Sequence, residues 1–240
     1  MDRISGQLQG MGTMECEVLS PWDVVKVFNS QQAADRYGSC FNDTAADRRR
    51  DRREKRCISA ALAEVPRGGR VLDLPCGAGR IYPLLKGLGL KVVSADSSPY
   101  MVEIARKRAA AMTCAAALQG DSFCVENILG TRFHDKQFDA VVCNRLFHHF
   151  ADSCVRQKAL CELARICSGP IVVSFFSCLA TDALTFYRKK YILRYPIRDR
   201  IPISPLTFAR DIRAAGLRIV AWRMARPLVS KQWYVVLRTA

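Results

Sequence analysis

Residues 71–80 combine an apolar run, an acid and two closely spaced glycines in one short segment. They read VLDLPCGAGR, with Asp73 inside the apolar run and with Gly77 and Gly79 in the turn after it. The apolar residues predict a buried parallel strand, and the glycines allow the backbone to approach a ligand without a Cβ atom in the way. A helix is expected over residues 81–86, with free N–H groups at its start. This order predicts a site for a nucleotide-like ligand.

A second apolar strand ends in an acid at the spacing expected of a ribose-binding residue. Residues 91–96 read KVVSAD, and Asp96 lies 23 positions after Asp73. An acid that binds ribose hydroxyls is expected roughly 20 residues further along the chain. In a doubly wound α/β sheet, ligands bind beyond the carboxyl ends of the strands, where both acids would lie. The two strands therefore predict one half of such a sheet.

Position 82 distinguishes this loop from the dinucleotide-binding fingerprint. That fingerprint has a third glycine three residues after the second, which lets the helix pack closely on its strand. Tyr82 stands at the corresponding position, three residues after Gly79. Its bulk argues against a nicotinamide or flavin dinucleotide as the ligand.

The loop instead resembles that of the class I S-adenosylmethionine (SAM) dependent methyltransferases, in which glycines follow an acid at the end of the first strand. Asp73, Gly77 and Gly79 match that motif, and Cys76 lies between them. Pro75 replaces the first glycine of the family. Because proline has no N–H to donate, the loop backbone is expected to differ locally there.

The resemblance also assigns roles to the charged residues of the loop. Asp73 is expected to attract the ammonium of the methionine part of SAM; the alternative is a structural carboxylate that fixes the loop by accepting backbone N–H groups. Arg80 is unfavourable beside the positive end of a helix dipole, so it predicts a carboxylate partner, either from the cofactor or from a protein side chain.

The segment from Asp96 to Met101 looks like the second motif of the family. The resemblance implies that Asp96, with Ser97 beside it, holds the ribose hydroxyls. It also implies that Met101, on the following helix, packs on the adenine face.

Residues 119–122 (QGDS) are similar to the third motif. The resemblance implies that Asp121 accepts a hydrogen bond from the adenine amino group and that the next N–H, from Ser122, meets the ring. Gly120 is included in the same cofactor-binding set.

Residues 138–150 look like the fourth strand of the family and the segment that follows it, with Asn144 as a further cofactor contact. Methyl transfer requires donor and nucleophile in line and, for a weakly acidic nucleophile, a base. His148 and His149 are candidate bases because the imidazolium of histidine has a pKa near 6.5, so a neutral imidazole is available at cellular pH. The alternative is that either histidine shapes the pocket or contacts the cofactor. His134 lies in a polar stretch and is expected at the surface.

The four motifs occur in the family's order over about 80 residues, and the resemblance covers residues 67–240, closest to the small-molecule and quinone-type branch. It implies a doubly wound, Rossmann-like α/β fold with a seven-stranded sheet, helices on both faces and an antiparallel C-terminal hairpin. Further elements are expected as a helix and three strands: residues 152–166, 170–176, 217–224 and 232–237. The predicted organisation is a mobile N-terminal tail, a helical cap that includes Trp22, and the SAM-binding domain: residues 1–20, 21–65 and 66–240.

Composition agrees with one enzyme domain. The chain has 240 residues, half of them hydrophobic, which suffices for one large core. No apolar run reaches the ~18 residues of a membrane span, and the N-terminus is unlike a signal peptide. We therefore expect a cytoplasmic protein. The 11 cysteines form no Cys-x-x-Cys pair, so neither a disulfide framework nor a metal site is expected.

The net charge of +15 is concentrated in two basic clusters, residues 48–56 and residues 188–200. The first is charged on every face, which is typical of a solvated helix or of a contact with an anionic partner. The second interleaves cations with aromatic residues, so it could bind a phosphorylated lipid head group, an anionic membrane surface or single-stranded nucleic acid. The alternative for the second is an ordinary exposed helix whose aromatic residues face the core.

The sequence thus predicts a SAM-dependent methyltransferase that acts on an oxygen, nitrogen or carbon nucleophile of a small or lipid-like, anionic acceptor. The acceptor could be presented at the inner face of a membrane through a peripheral contact. The alternatives are an RNA methyltransferase, favoured by the basic clusters, and a non-catalytic SAM-binding scaffold subunit. The oligomeric state and the methylated atom are not determined by the sequence, because one fold of this kind serves many substrates.

Overall fold

The computed structural model describes residues 44–112, 118–194 and 200–240. Within these ranges one seven-stranded sheet is formed. Its strands are β1 (Arg70–Asp73), β2 (Lys91–Asp96), β3 (Ser122–Val125), β4 (Ala140–Cys143), β5 (Ile171–Phe176), β6 (Leu217–Met224) and β7 (Gln232–Thr239).

The strand order is β3-β2-β1-β4-β5-β7-β6. Strands β1 to β5 pair in parallel, whereas β7 pairs antiparallel with both β5 and β6. The chain order reverses at β1, which has β2 on one side and β4 on the other, and ligands of doubly wound sheets bind at such a switch point. The predicted sheet and its antiparallel C-terminal hairpin are confirmed.

Helices lie on both faces of this sheet. In the part of the chain that the structure describes they are α1 (Ala45–Ala61), α2 (Tyr82–Gly87), α3 (Pro99–Met112), α4 (Ser153–Ile166), α5 (Thr181–Tyr187) and α6 (Pro205–Ala214). A 3₁₀ turn over Phe147–His149 follows β4, and a π-helical turn over Arg188–Ile192 continues α5. Side-chain oxygens cap two of the helices: Thr44 accepts from the N–H of Asp47, and Asp152 accepts from that of Cys154.

Two apolar layers flank the sheet because alternate side chains of a strand point to opposite faces. On one face, Leu72 and Val141 pack in a cluster with α4 and α6. On the other, Val71 and Val142 pack in a cluster with α1 and α2. Adjacent residues of one strand are therefore both buried, as expected for parallel strands covered by helices.

The predicted elements agree with the observed ones to within two residues at their ends. The expected tail over residues 1–20 lies outside the described residues, as does the first part of the expected cap, including the apolar patch around Trp22. The described part of the cap contains α1. None of the described helices is long and apolar enough to cross a membrane.

Candidate active site

The parallel strands at the centre of the sheet bring three predicted site residues to one edge. Asp73 is the last residue of β1, Asp96 is the last residue of β2, and Asn144 directly follows β4. Because these strands are neighbours and run in the same direction, their carboxyl ends meet at the topological switch point.

The loop after β1 is anchored on the end of β2. The N–H of Gly77 donates to Oδ2 of Asp96 at 2.9 Å, and the N–H of Cys76 donates to the carbonyl of Ala95 at 2.8 Å. Gly77 and Gly79 have φ values of +52° and +76°, in the left-handed region that favours glycine. A Cβ atom on Gly79 would lie 3.1 Å from the Cα of Ala105 in α3, so close packing on α3 also requires this glycine.

The carboxyl group of Asp73 is buried without a hydrogen-bond partner. Its residue is 0% exposed, and neither oxygen forms a hydrogen bond within the described residues. Burial raises the pKa of Asp73 to about 8, which the charge of Arg80 opposes and that of Asp96 reinforces. Because neither oxygen accepts a backbone N–H from the described residues, the structure contradicts the alternative in which this carboxyl fixes the loop. A cationic ligand group would compensate its burial.

Asp96 is buried but well hydrogen bonded. Its Oδ2 accepts from the N–H of Gly77, and its Oδ1 accepts from the N–H of Ser98, each at 2.9 Å. Burial raises the pKa of Asp96, and the backbone N–H groups of Ser98, Gly77 and Ser97 oppose this effect. Ser97 itself is half-buried beside it. The two fixed oxygens retain lone pairs for further donors.

Met101 lies in the first turn of α3, next to the glycine-rich loop. It is 3% exposed and packs with Ala78 of the loop and with Ile104. An apolar surface therefore borders the loop on the side of α3, where the sequence predicts it.

Arg80 finds its partners in the protein. Its guanidinium forms ion pairs with Asp51 at 2.5 Å and with Glu54 at 2.9 Å, both on α1. The buried face of α1 carries these two acids together with Ile58 and Ala61, at the three- and four-residue spacing of one helix face. Of the two partners that the sequence left open for Arg80, the structure thus shows the protein carboxylate, which corrects its assignment to the cofactor.

The assignment of Gly120, Asp121 and Ser122 to the cofactor site is wrong. Ser122 is the first residue of β3, and its Cα partner is Val93 near the start of β2. These residues therefore lie at the amino edge of the sheet, opposite the edge that holds Asp73 and Asp96.

Asp121 instead ties three elements together at that amino edge. Its Oδ1 accepts from the N–H of Val92 at 2.8 Å, and its Oδ2 accepts from the hydroxyl of Tyr82 and from Nζ of Lys86, each at 2.8 Å. Tyr82, the bulky residue after the glycine-rich loop, thus helps to hold Asp121 in place.

At the carboxyl edge, the acid that follows β3 is Glu126, which was not predicted from the sequence as a site residue. Val125, the last residue of β3, pairs with Asp96, and the N–H of Glu126 donates to the carbonyl of Asp96 at 3.0 Å. The carboxylate of Glu126 is 2.9 Å from Nε of Arg132. The signal was present in the sequence, since Glu126 follows an apolar strand directly, as Asp73 and Asp96 end theirs.

Asn144 is held in place by the neighbouring strands. Its Oδ1 accepts from Oγ of Ser174 at 3.1 Å and from the hydroxyl of Tyr234 at 3.0 Å. Oγ of Ser174 in turn accepts from the N–H of Arg145 at 2.7 Å. Burial raises the pKa of Tyr234 well above its ordinary range, so its hydroxyl remains a donor. The side-chain oxygen of Asn144 thus links the end of β4 to β5 and β7.

The two adjacent histidines lie on the 3₁₀ turn after β4. His148 is 2% exposed, and its ring stacks on that of Phe176 with 3.7 Å between centroids. The His149 ring lies 4.3 Å from that of His148. Nδ1 of His148 has no hydrogen-bond partner within the described ranges.

The imidazole of His148 is neutral at cellular pH. Its pKa is held well below its usual value by burial first, then by the neighbouring His149 and by the cationic groups of Arg145, Arg200 and Lys231. A neutral imidazole can accept a proton, although a lowered pKa makes it a weaker base. His134 is exposed on a loop, as expected.

Comparison with known proteins agrees with this arrangement. A family model described as a methyltransferase domain matches residues 71–168. The chain is 36% identical over 126 residues to a demethylmenaquinone methyltransferase of Thermus thermophilus, covering 51% of this chain and 53% of the relative. It is 27% identical over 166 residues to a mitochondrial ubiquinone biosynthesis O-methyltransferase of Schizosaccharomyces pombe, covering 69% of this chain and 54% of the relative. The chain thus spans about half the length of these curated relatives.

Solved structures show the same fold. Magnesium protoporphyrin IX methyltransferase from Synechocystis PCC 6803, crystallised with SAH, matches with a TM-score of 0.72 and 17% identity, over 92% of this chain and 100% of that chain. The chain belongs to the class I SAM-dependent methyltransferases. The predicted family is confirmed, and the relatives are named as quinone methyltransferases.

Within this methyltransferase fold, the departure at Pro75 has a local consequence only. The next two residues, Cys76 and Gly77, donate their N–H groups to the end of β2, so the loop is fastened immediately after the proline. The missing N–H therefore does not displace the glycines from the carboxyl edge of the sheet.

Proposed function

We propose that this chain binds SAM at the carboxyl edge of its sheet and transfers the methyl group to an oxygen, nitrogen or carbon nucleophile of a small or lipid-like, anionic acceptor. The observation that supports this most directly is the buried carboxyl group of Asp73, which has no hydrogen-bond partner among the described residues and lies next to Asp96.

The residues present fit SAM. Asp73 would hold the cationic methionine part, because a buried carboxylate is stabilised by an opposite charge. Asp96 would accept from the ribose hydroxyls, and Met101 would supply an apolar surface for the adenine. When bound, SAM supplies an electrophilic methyl group on a sulfonium.

The remaining catalytic work falls to the chain itself. Its rigid strand ends position the reactants, since Asp96 and Asn144 are each fixed by two hydrogen bonds. Positioning of this kind removes much of the entropic barrier to a two-body reaction. His148, neutral and buried on the 3₁₀ turn after β4, would accept the proton that the nucleophile releases.

Calorimetric titration with SAM, with its demethylated product and with NAD tests the donor. We expect micromolar binding of the two sulfur compounds and none of NAD. If neither sulfur compound bound, the methyltransferase proposal would fail, and a scaffold whose cofactor site is not functional would be the better interpretation.

Replacing His148 by Phe tests the proposed base, since the ring can still stack on Phe176 while the nitrogen atoms are lost. A positioned general base contributes roughly 10²- to 10⁴-fold in rate, so we expect kcat to fall by about 100-fold or more with unchanged SAM affinity. The pH–rate profile should lose its acid limb as well. His134→Phe, on an exposed loop, is the matched control. A wild-type kcat in the His148→Phe protein would remove the base from the mechanism.

The lipid-like part of the proposal is supported by an exposed apolar surface on and beside α5. We call residues 179–194 together with Leu228 the α5 surface. Leu228 is adjacent because its carbonyl accepts from the N–H of Thr181 at 2.9 Å. Five large apolar residues of this surface are 62–73% exposed: Leu179, Leu184, Tyr191, Ile192 and Leu228. In the alternative in which the aromatic residues of this segment face the core, Tyr191 would be buried, but it is exposed.

Charge indicates which partner the α5 surface fits. Arg188, Lys189 and Lys190 are exposed among the apolar side chains, and Nζ of Lys190 lies 5.4 Å from the ring centroid of Tyr191. Apolar side chains flanked by cations are typical of a peripheral contact with an anionic bilayer. We therefore propose that the α5 surface rests on the inner face of a membrane, where a lipid-like acceptor would be available.

Replacing Arg188, Lys189 and Lys190 together by Gln tests this contact. Each basic residue near an anionic membrane contributes about 1 kcal/mol, so partitioning onto phosphatidylglycerol vesicles should fall by about 100-fold. SAM affinity should not change. Ile192→Asp should also release the protein, whereas Leu206→Asp, at an equally exposed position on α6, should not. Equal binding of the wild type to neutral phosphatidylcholine vesicles would contradict the role of charge.

RNA methylation is a second candidate because α1 presents a row of arginines to solvent. Its inward-facing acids pair with Arg80, and exposed on its other faces are Arg48, Arg49, Arg52, Arg53 and Arg56. If RNA bound through these arginines, a plot of log K against log salt concentration would have a slope of roughly −0.7 per phosphate contact. An RNA affinity that did not change with salt would contradict this candidate, and the small or lipid-like acceptor would be the remaining proposal.

A further inference from the structure

A group of cationic side chains surrounds His148 on the side of the sheet edge away from Asp73 and Asp96. Three chain segments deliver them. Arg145 follows β4, Lys231 precedes β7, and Arg200 precedes Ile201, whose N–H donates to the carbonyl of His148 at 2.8 Å. These segments converge where β4 and β5 end.

Phe176 connects His148 with Lys231. The imidazole of His148 stacks on the Phe176 ring at 3.7 Å with 2° between the planes, and Nζ of Lys231 lies 4.6 Å from the centroid of the same ring. The backbone fixes this arrangement, since the N–H of Ser177 donates to the carbonyl of Lys231 at 2.7 Å. Lys231 is thus held against an aromatic ring and half-buried.

Three cations and one carboxylate act on Lys231. Burial lowers its pKa, the charge of Asp182 opposes this effect, and the cationic groups of Arg200, Arg145 and Lys189 lower the pKa further. On the far side, Nη2 of Arg145 lies 4.0 Å from Oε1 of Glu54. Like charges gathered around a half-buried lysine are unfavourable, and an anion that joined them would relieve the repulsion.

Two further observations indicate a ligand at this place. Nδ1 of His148 is buried without a hydrogen-bond partner in the described part of the chain, and such a group carries a desolvation cost until a donor or acceptor reaches it. Arg145 and Arg200 both have left-handed backbone, with φ values of 63° and 59°. Non-glycine residues in that region are uncommon and cluster at binding and catalytic sites.

We infer that Arg145, Arg200 and Lys231 form an anion subsite for the methyl acceptor. The group bound is a carboxylate or a phosphate, and it holds the acceptor beside His148. This inference rests on the proposed function for its meaning as an acceptor site, but anion binding itself can be measured without methyl transfer. Nothing in the glycine-rich loop takes part in it.

Calorimetric titration with phenyl phosphate, with phenol as the neutral reference, tests the subsite. We expect phenyl phosphate to bind and phenol not to bind. Lys231→Met and Arg200→Met should each weaken phenyl phosphate binding by at least tenfold, and Lys231→Arg should restore it to within about threefold. Lys107→Met, at an exposed position on α3, is the control and should bind as the wild type does. SAM affinity and the melting temperature should be the same in all of these proteins.

Wild-type binding of phenyl phosphate by both Met variants, or binding of phenol as tight as that of phenyl phosphate, would overturn the subsite. Dodecyl phosphate, below its critical micelle concentration, distinguishes the sources. Tighter binding of dodecyl phosphate assigns a lipid phosphate, and equal binding assigns a small soluble anion; both support the subsite. If the wild type bound phenyl phosphate but not SAM, the proposed function would fail. If it bound SAM but not phenyl phosphate, only this inference would fail.

Discussion

Asp96→Asn is expected to weaken SAM binding by about 100-fold and to destabilise the fold by about 1–3 kcal/mol, because one of its two backbone N–H donors loses its acceptor. A hydrogen bond to an ionised acceptor contributes about 1.5–3 kcal/mol and one to a neutral acceptor about 0.5–1.5 kcal/mol. The amide would therefore lose about 1–1.5 kcal/mol for each of two ribose hydroxyls, and this total of roughly 2–3 kcal/mol corresponds to about two orders of magnitude in Kd. Asn keeps the shape of the side chain, and its one carbonyl oxygen can still accept a backbone N–H. Calorimetric titration with SAM at neutral pH measures the effect.

Asp121→Asn is the matched control for that prediction. Asp121 is also a buried acid beside β2, but it lies at the amino edge and binds Tyr82, Lys86 and Val92. Its replacement should lower the melting temperature and leave SAM affinity unchanged. If Asp121→Asn reduced SAM affinity as Asp96→Asn does, or if Asp96→Asn bound SAM normally, the assignment of the cofactor edge would be wrong.

Arg156→Met should destabilise the fold by about 3–5 kcal/mol, the cost of leaving a buried charge without its partner. Nε of Arg156 lies 2.6 Å from Oδ2 of Asp211, and these residues are 3% and 2% exposed. The pair joins α4 to α6. Urea denaturation, monitored by circular dichroism, gives the change in unfolding free energy.

The same arginine also holds the segment that follows the histidines. Its Nη1 donates to the carbonyls of Phe150 at 2.8 Å and Ala151 at 2.7 Å. The double variant Arg156→Met with Asp211→Leu should therefore recover only part of the loss. The buried charge is gone, but the two carbonyls remain without their donor, and Ser153 and Gln157 lose Asp211 as an acceptor. Full recovery would show that these neutral hydrogen bonds contribute nothing, and no recovery would show that they, and not the ion pair, account for the loss.

Much of the fold was predictable because its signals are local. Apolar runs that end in Asp73 and Asp96 mark two strands and their carboxyl ends, and the glycines between them mark the turn. Each signal depends on a few adjacent residues and on the period of a strand or helix. The C-terminal hairpin followed from the family resemblance together with two apolar runs near the end of the chain.

The third motif shows where local pattern fails. An acid two residues before an apolar run and an acid directly after it are equally plausible from composition alone. Strand register decides between them, because Ser122 pairs near the start of β2 and Val125 pairs with its end. Asp121 and Glu126 therefore lie at opposite edges of the sheet, and only Glu126 lies near the site.

The sequence by itself determined the family, the sheet and the acids at two strand ends, since those features are written in short segments. Tertiary structure alone decided that Arg80 pairs with α1, that Asp73 is buried without a partner in the described residues, and that cations from three segments surround His148. Such contacts join residues that are tens of positions apart, and their electrostatics depend on burial, which no short segment encodes.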